Sequence, residues 1–284
     1  MKKDSYKQIT IYAALLLIVV LLILLLKEYG NRDNKVGNAV IGDPGDRDYT
    51  EIKEDGVLRV VTEYNTMGYF VSGDTISGFQ YDLAKLFGKK MGLQVEIYPE
   101  MDLKKSIDGL IRGDYDVIAR NIPVTSELRK ELNFTQPIML NKQVLVQRTA
   151  KYNNGIQPIR NQLGLAGKTL YIPENSPSLL RIHNLSVEIG DTVQVKEMEK
   201  YESEQLIIMV AKGDIDYAVC DEAIAQKNKS RFPEIDIETD ISFTQLQAWA
   251  VRKNSPELLD SLNAWIEQLK INNEIDKIQR QYIK

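Results

Sequence analysis

Hydrophobic and polar positions follow the same order twice along this chain. The first series predicts three apolar strands separated by two amphipathic helices, at residues 57–62, 79–91, 94–98, 103–112 and 116–119. After a polar tract, the second series repeats that order at residues 169–172, from 178 onward, 192–195, 203–212 and 216–220. Strands that alternate with helices favour parallel sheets, so the pattern predicts an α/β protein with two similar lobes.

A short sequence occurs at the same place in both series. Residues 111–119 read IRGDYDVIA and residues 211–219 read AKGDIDYAV. In each, a glycine ends a predicted helix and a buried strand follows. Such joints are common in α/β proteins, so the repeat alone is weak evidence for two similar lobes. It supports them because it agrees with the order of strands.

Two extended runs connect the predicted lobes. Residues 143–148 (QVLVQR) leave the first lobe and residues 245–251 (QLQAWAV) return from the second, so both are predicted to be hinge strands. A helix over residues 256–269 and a final helix after it are expected to pack on the first lobe. The predicted boundaries are residues 51–142 and 249–284 for lobe 1, and residues 143–248 for lobe 2.

An uncharged apolar run of 18 residues, 9–26, precedes the globular part. It is long enough to cross a bilayer, and the lysines before it favour a cytoplasmic position for residues 1–8. The alternative is a cleaved secretory signal, but no small-residue cleavage pattern follows Leu26. We therefore predict an uncleaved, single-pass signal anchor in the cytoplasmic (inner) membrane.

Residues 27–50 are predicted to be a flexible tether, because they are rich in Gly, Asn and Asp and lack periodic apolar positions. No cysteine directly follows the apolar run, which argues against a lipid-attached lipoprotein. The globular domain is then expected on the periplasmic or extracellular side of the membrane.

Composition narrows the classes of function. A net charge of −4 with no basic, aromatic-rich stretch argues against nucleic-acid binding. The single cysteine, Cys220, excludes an internal disulfide, and with the single histidine, His183, it makes a zinc site or a nucleophilic triad improbable. We expect Cys220 to be a buried hydrophobic residue and expect neither a cofactor nor a metal site.

The junction after the third strand carries candidate binding chemistry. Pro123 makes a turn, and Thr125 is predicted to N-cap a helix whose first turn contains Glu127. Strand ends in open α/β folds gather unpaired N–H groups, and Arg120 and Arg129 add positive charge there, which suits an anion. The alternative is an ordinary connection with solvent-facing arginines.

Several motifs occur in an order that resembles extracellular solute-binding proteins of family 3, the bacterial polar amino-acid-binding type. They are GVLRVVT at 56, SGFQYDLAKLFGKKMG at 77, IRGDYDVIARNIPVT at 111, FTQP at 134 and GDIDYAVCDEA at 213. The resemblance covers residues 54–283 and implies a two-lobed periplasmic-binding-protein-like (type II) fold with two crossing hinge strands. More narrowly, the chain is similar to the solute-binding half of membrane-bound lytic murein transglycosylases F.

The resemblance also implies ligand-binding residues. Arg129 is expected to bind the α-carboxylate of a ligand, with Arg120 sharing or replacing that role beside Asn121. Asp221 is expected to face the ligand ammonium; its alternative role is to N-cap the helix that follows. In the first lobe, the remaining candidates are an acidic residue and two aromatic residues: Glu63, Tyr64 and Tyr69. In the second lobe they are hydroxyl and amide donors, whose alternative role is to cap a helix: Asn175, Ser176 and Ser178.

The expected function is therefore a membrane-anchored protein that closes on a small amino-acid-like ligand or a muropeptide, for transport or cell-wall sensing. A transporter or a cell-wall protein is the expected partner. One alternative is a shortened lytic transglycosylase in peptidoglycan turnover, but residues up to Lys284 offer no place for its catalytic domain, so no enzymatic activity is expected. A second alternative is a scaffold with a degenerate cleft.

Overall fold

The computed structural model describes residues 47–283. The predicted cytoplasmic tail, the transmembrane run of residues 9–26 and most of the predicted tether lie outside that range. Within residues 47–283, no helix has the length and apolar character needed to cross a membrane.

Lobe 1 is built around a mixed sheet with the strand order β4-β1-β5-β13-β6, and β7 also pairs with β13. β1 is parallel to β4 and β5, while β13 is antiparallel to β5, β6 and β7. Its elements before the crossing are α1 (Tyr49–Asp55), β1 (Val57–Thr62), β2 (Phe70–Ser72), β3 (Thr75–Ser77), α2 (Phe79–Met91), β4 (Gln94–Pro99), α3 (Leu103–Arg112), β5 (Val117–Pro123), α4 (Leu128–Glu131), β6 (Leu132–Phe134) and β7 (Met139–Asn141).

Lobe 2 follows the same plan in a five-stranded sheet ordered β10-β9-β11-β8-β12. β9 is parallel to β10 and β11, and β8 is antiparallel to β11 and β12. Its elements are β8 (Gln143–Arg148), β9 (Thr169–Pro173), α5 (Ser178–Ile189), β10 (Gln194–Met198), α6 (Ser203–Lys212), β11 (Ala218–Asp221), α7 (Glu222–Lys229) and β12 (Ile235–Asp240). The chain then returns to lobe 1 through β13 (Gln245–Arg252), α8 (Pro256–Ile271) and α9 (Glu274–Tyr282).

The two parallel three-strand units predicted from the hydrophobic pattern are present. The predicted boundary at residue 248 is wrong, because all of β13, including residues 245–248, pairs within the lobe 1 sheet. The predicted tether also ends too late, since α1 begins at Tyr49 with Asp48 as its capping residue. The chain crosses between the lobes at Lys142 and at residues 241–244.

The repeated sequence forms the same backbone joint in both lobes. Gly113 ends α3 with φ 85° and Gly213 ends α6 with φ 87°, both in the left-handed region that glycine adopts without a steric penalty. In each joint the next N–H reaches back to the helix, Asp114 to the Gly109 carbonyl and Asp214 to the Met209 carbonyl, both at 2.9 Å. Each helix is thereby turned directly into a buried strand.

Buried hydrophobic side chains pack against the sheet of each lobe, and one of these clusters contains residues of both lobes. In lobe 1, Phe87 and Trp249 flank Trp265 with ring centroids 5.2 and 6.0 Å away. In lobe 2, buried aliphatic residues such as Leu170 and Ile182 pack between the sheet and α5. Burial of each such side chain contributes about 1.5–3 kcal/mol, so each lobe has the core needed to hold its strand ends in place.

The crossing points are tied by polar contacts. Lys142 Nζ lies 2.9 Å from Asp240 and 3.5 Å from Glu222, and the hydrogen bond to Asp240 raises the pKa of Lys142. The Gln143 N–H donates to Ser242 Oγ at 2.9 Å, which joins the outgoing crossing to the returning one. The two crossings therefore form one compact hinge.

Candidate functional site

A cavity of about 70 Å³ lies between the lobes, where the strands of both sheets end. Lobe 1 lines it with the residues that end β1 and β5 and with the start of α3. Lobe 2 lines it with the connections that follow β9, β10 and β11. The polar residues in its wall are Glu63, Arg120, Asn121, Gln143, Glu174, Asn175, Ser176, Ser178, Glu202, Ser203 and Asp221.

Arg120 and Glu63 form an ion pair in the lobe 1 wall. Arg120 Nη2 lies 3.0 Å from Glu63 Oε2, and the two side chains are only 11% and 12% exposed. Arg120 Nη1 also donates to the Met101 carbonyl at 3.2 Å. Two of the predicted site residues are thus brought together, but as partners of each other.

Asp221 lies across the cavity at the end of β11. Its carboxylate accepts a hydrogen bond from Gln143 Nε2, and Gln143 Oε1 in turn accepts one from the buried Ser178 hydroxyl at 2.6 Å. Although Asp221 precedes α7, its side chain does not cap that helix. The capping alternative is therefore wrong, and the carboxylate is held facing the cavity.

Asn121 is oriented by a chain of amide contacts that starts in the core. The indole N–H of Trp249 donates to Gln80 Oε1 at 2.6 Å, and Gln80 Nε2 donates to Asn121 Oδ1 at 2.8 Å. Because its oxygen is engaged, Asn121 can donate only through Nδ2, which is buried and forms no hydrogen bond of ordinary geometry among the described residues. Asn121 nevertheless opposes the rise in the pKa of Asp221, so its amide lies close to that carboxylate in the cavity wall.

Two carboxyl groups of lobe 2 have strongly shifted pKa values. Burial, assisted by the charge on Glu63, raises the pKa of Asp221 to about 7, although the hydrogen bond from Gln143 opposes the shift. Burial and Glu63 likewise raise the pKa of Glu202 to about 7, opposed by Arg120. Burial also raises the pKa of the Cys220 thiol, which agrees with its prediction as a buried hydrophobic residue.

Glu202 and Gln143 were missed by the sequence analysis. Glu202 precedes α6, and its N–H donates to Gln205 Oε1 at 2.9 Å, an arrangement typical of a helix start. Gln143 begins a hinge strand and resembles any polar residue in such a strand. Only the packing of β8 against β11, with Gln143 opposite Asp221, reveals the role of Gln143.

Asn175 and Ser176 lie in the turn before α5. Asn175 has φ 56°, an uncommon conformation for a residue with a side chain, and its Nδ2 donates across the cleft to Asp102 Oδ2 at 3.2 Å. Ser176 Oγ accepts from the Ser178 N–H at 3.2 Å, so the predicted helix-cap role is present there. Both residues nevertheless line the cavity.

A second contact closes the cleft on the other side. Both the N–H and the hydroxyl of Thr66 in lobe 1 donate to Glu204 Oε1 at the start of α6, at 3.1 and 2.7 Å. Together with the bond from Asn175 to Asp102, it joins the lobes at two places. The structure is therefore a closed form.

The two predicted aromatic residues, Tyr64 and Tyr69, contact each other with their rings tilted. The rings of Tyr64 and Tyr69 are 6.0 Å apart, and Tyr69 lies 5.8 Å from Tyr81. Tyr64 is 49% exposed, and neither Tyr64 nor Tyr69 is among the residues that line the cavity.

The structure does not bring Arg129 to the cavity. The helix predicted to start after Thr125 is a single turn that begins only at Leu128, although Thr125 Oγ1 does accept from the Leu128 N–H at 3.3 Å. Arg129 is exposed on this turn, where its carbonyl accepts from Lys253 Nζ. Its exposed side chain is absent from the cavity wall.

Other hollows in the described part of the chain are larger but differ in character, including one of about 650 Å³ on lobe 2 beside Arg160 and Glu188. One of about 600 Å³ lies on lobe 1 between β7 and α9, away from the strand ends. Another of about 700 Å³ is an open groove beside the cavity, with Leu103, Ile107 and Leu180 in its wall. We take the smaller cavity as the candidate site, because charged side chains from both lobes converge there at strand ends.

The sequence profile of bacterial extracellular solute-binding proteins, family 3, matches residues 58–284. The chain belongs to this family. Membrane-bound lytic murein transglycosylase F of Desulfosudis oleivorans is 32% identical to this family 3 chain over 233 residues, which are 82% of the chain and 50% of that protein. Its namesake from Photobacterium profundum is 26% identical and is matched over 45% of its length. The chain spans about half the length of the curated relatives it matches.

Solved structures agree with the family. An ancestral arginine-binding protein bound to arginine is 28% identical, with a TM-score of 0.69 over 81% of this chain and 99% of its own. An ancestral arginine-binding protein bound to glutamine is 28% identical with a TM-score of 0.68, over 80% and 97%. The α/β, two-lobed periplasmic-binding-protein fold is thus confirmed, and the family is one of binding proteins rather than enzymes.

Proposed function

We propose that this protein binds a small amino-acid-like solute by closing its two lobes on it. The observation that carries this proposal is the cavity between the lobes, whose wall combines Arg120 and Glu63 from one lobe with Asp221 and Glu202 from the other. Charged groups from both lobes make binding depend on closure, because a solute can contact all of them only in the closed form.

The hinge and the cavity volume support the same function. Each crossing between the lobes is short, so a few backbone rotations near Lys142 and residues 241–244 can separate the two sheets. The closed cavity, at about 70 Å³, is much smaller than the roughly 300–1,000 Å³ of sites for drug-sized ligands. A guest of amino-acid size fits this closed form better than an extended muropeptide.

The relatives support the ligand class. The ancestral arginine-binding proteins with this fold are bound to arginine and to glutamine. Asp221 provides the carboxylate expected opposite a ligand amine, and Asn121 Nδ2 provides a buried donor that a ligand oxygen can satisfy. Arg120, rather than Arg129, is the cation of this site.

We propose that residues 9–26 anchor the protein in the cytoplasmic membrane, with the two lobes on the outer side. The apolar run supports this, as does the family, whose members are extracellular. Tethered there, the closed lobes can deliver their solute to a transporter in the same membrane.

A second candidate function is sensing of released cell-wall peptides. It is favoured by the similarity to the two transglycosylases F, which are named for murein as their substrate. In this case the open groove beside the cavity, with its apolar wall, accommodates the part of the peptide that the closed cavity cannot hold.

Thermal unfolding and calorimetric titration of the full chain in detergent test the proposal. The twenty amino acids, their amines and purified muropeptides are added separately. A ligand at a hundredfold excess over its Kd stabilises the folded state by about 2.7 kcal/mol, a shift of several degrees in Tm. Binding of muropeptides alone favours the second candidate, and no binding by any of these compounds contradicts both.

A further inference from the structure

The wall of the interlobe cavity contains more negatively charged groups than positively charged ones. Among the described residues, its wall contains one guanidinium, that of Arg120, and four carboxylates. The four carboxylates belong to Glu63, Glu174, Glu202 and Asp221. A cavity with this excess of negative charge attracts cations and repels anions, and its partly buried position strengthens both effects.

The Arg120 guanidinium is already engaged. It pairs with Glu63 at 3.0 Å and donates to the Met101 carbonyl at 3.2 Å. A guest carboxylate would have to share this guanidinium with Glu63, and it would lie beside the carboxylates of Glu63, Glu202 and Asp221, which repel it. Arg129 is exposed and absent from the cavity wall, so among the described residues of that wall the only cation is already paired with an acid.

Asp221 and Glu202, in contrast, have no cationic partner. Among residues 47–283, neither lies within the 4.0 Å that defines an ion pair with a lysine, arginine or histidine. Gln143 fixes the carboxylate of Asp221 in the wall, so its second oxygen can accept from a guest. A carboxylate enclosed in this way is stabilised by a cation that also donates hydrogen bonds.

We propose that the solute bound in this cavity is an organic cation recognised through its ammonium or guanidinium group, and that a carboxylate on the solute is not required. Asp221 and Glu202 receive the N–H groups of the guest, while Arg120 and Glu63 neutralise each other. The inference rests on the binding function proposed above and narrows its ligand class to amines.

Matched pairs of probes test this inference. Agmatine is arginine without its carboxylate, and cadaverine is lysine without its carboxylate, so each pair isolates the contribution of that group. Calorimetric titration of the full chain at pH 8, where Asp221 and Glu202 are largely ionised, gives the Kd of each compound. Glutamate and glutamine serve as the anionic and neutral probes.

The expected result is that agmatine and cadaverine bind at least as tightly as arginine and lysine, and that glutamate does not bind. The inference is overturned if each amino acid binds more than about tenfold tighter than its amine, a difference of about 1.4 kcal/mol in favour of the carboxylate. It is overturned too if only glutamate or glutamine binds. In both cases the proposed binding function stands, whereas no binding by any probe or muropeptide contradicts that function as well.

An arginine substitution gives an independent readout. Arg120→Gln removes the positive charge from the cavity. Because that charge repels a cationic guest, agmatine is expected to bind about two- to tenfold tighter to the variant. If Arg120 instead holds a guest carboxylate, this variant loses arginine binding and leaves agmatine binding unchanged. Arg129→Gln, on the outer surface, is the matched control with unchanged binding, and circular dichroism checks that both variants fold.

Discussion

Equivalent strand ends in the two lobes carry different chemistry. When the repeated sequences are aligned on Gly113 and Gly213, Arg120 and Asn121 of β5 correspond to Cys220 and Asp221 of β11. The joint and the strand are the same in both, yet one end is paired with Glu63 and the other is an unpaired acid. The repeat therefore specifies where side chains are delivered, and the two residues that follow it give the two lobes different chemistry at that place.

The aspartates inside the repeat differ just as much. Asp116 is fully buried, with Arg47 at 2.9 Å, Arg252 at 3.3 Å and the Arg59 N–H at 2.9 Å. Asp216, at the same place in lobe 2, has a side chain that is 71% exposed and pairs only with Arg148. One motif thus contributes a buried ionic cluster in lobe 1 and a surface ion pair in lobe 2.

The largest expected effect is on stability. Asp116→Asn leaves the buried Arg252 guanidinium without its charge partner and is expected to lower the free energy of unfolding by about 3–5 kcal/mol. The matched Asp216→Asn variant is expected to change it by less than about 0.5 kcal/mol, because the Asp216 carboxylate is exposed and Arg148 keeps its hydrogen bonds to two backbone carbonyls. Urea denaturation of both variants measures the difference, and equal losses would show that the two aspartates are equivalent after all.

The next effect is on binding. Asp221→Asn removes the charge that faces a guest amine and is expected to weaken agmatine binding by about 1.5–3 kcal/mol, the usual contribution of a hydrogen bond to a charged group. Titration calorimetry measures this change. Asp216→Asn is the control for a lost acid outside the cleft, and retention of full affinity in Asp221→Asn would remove Asp221 from the site.

The two glycines should respond alike. Gly113→Ala and Gly213→Ala each place a Cβ on left-handed backbone, which is expected to cost about 1–2 kcal/mol. At Gly213 the new Cβ would lie 3.6 Å from Arg148 Nη1, an ordinary contact, so backbone conformation dominates the cost. Thermal unfolding of the two variants compares the joints directly, and a cost confined to one lobe would contradict their equivalence.

A further difference between the lobes is the pH dependence that arises from lobe 2. Asp221 faces Glu63, Gln143 and Arg120, and Glu202 is influenced by the same ion pair. Because the pKa of both acids is near 7 when folded and lower when unfolded, the folded state binds more protons between about pH 4 and 7. Stability of the empty protein therefore falls as pH rises through this window.

The affinity for an amine is expected to depend on pH in the opposite direction. It is expected to rise from pH 5.5 to pH 8, as Asp221 and Glu202 lose their protons and become attractive. Tm and Kd measured across this range check both trends. The double variant with Asp221→Asn and Glu202→Gln should flatten both curves, and a Tm that rises with pH in the wild type would rule out this assignment.

Most of the scaffold could be predicted from hydrophobic periodicity. α3, α6 and β8 have the predicted bounds, because each combines a clear apolar stripe with a distinct start or stop. The hairpin of β2 and β3 was not predicted, since its residues are largely exposed and gain order from pairing with each other. α1 was not predicted, and the predicted tether includes its first two residues, because only Ile52 of its seven residues is buried.

Site residues could be predicted from the sequence where their position along a strand brings them to the cleft. Arg120 and Asn121 lie within β5, which continues to Pro123 beyond the predicted strand, and Asp221 ends β11; all three line the cavity as expected. Gln143 and Glu202 depend on contacts between distant segments, which local patterns do not contain. Arg129 does not reach the cavity, for a local reason. It lies on a short helical turn that begins at Leu128, and its side chain is exposed there.

Both tryptophans of the chain lie in the lobe 1 core, and the indole of Trp249 is two hydrogen bonds away from Asn121 in the cavity wall. A guest that engaged Asn121 would pull on Gln80 and alter the polar surroundings of that indole. The indole is thus placed to serve as a built-in optical reporter, whose ultraviolet emission would register occupancy without an attached dye.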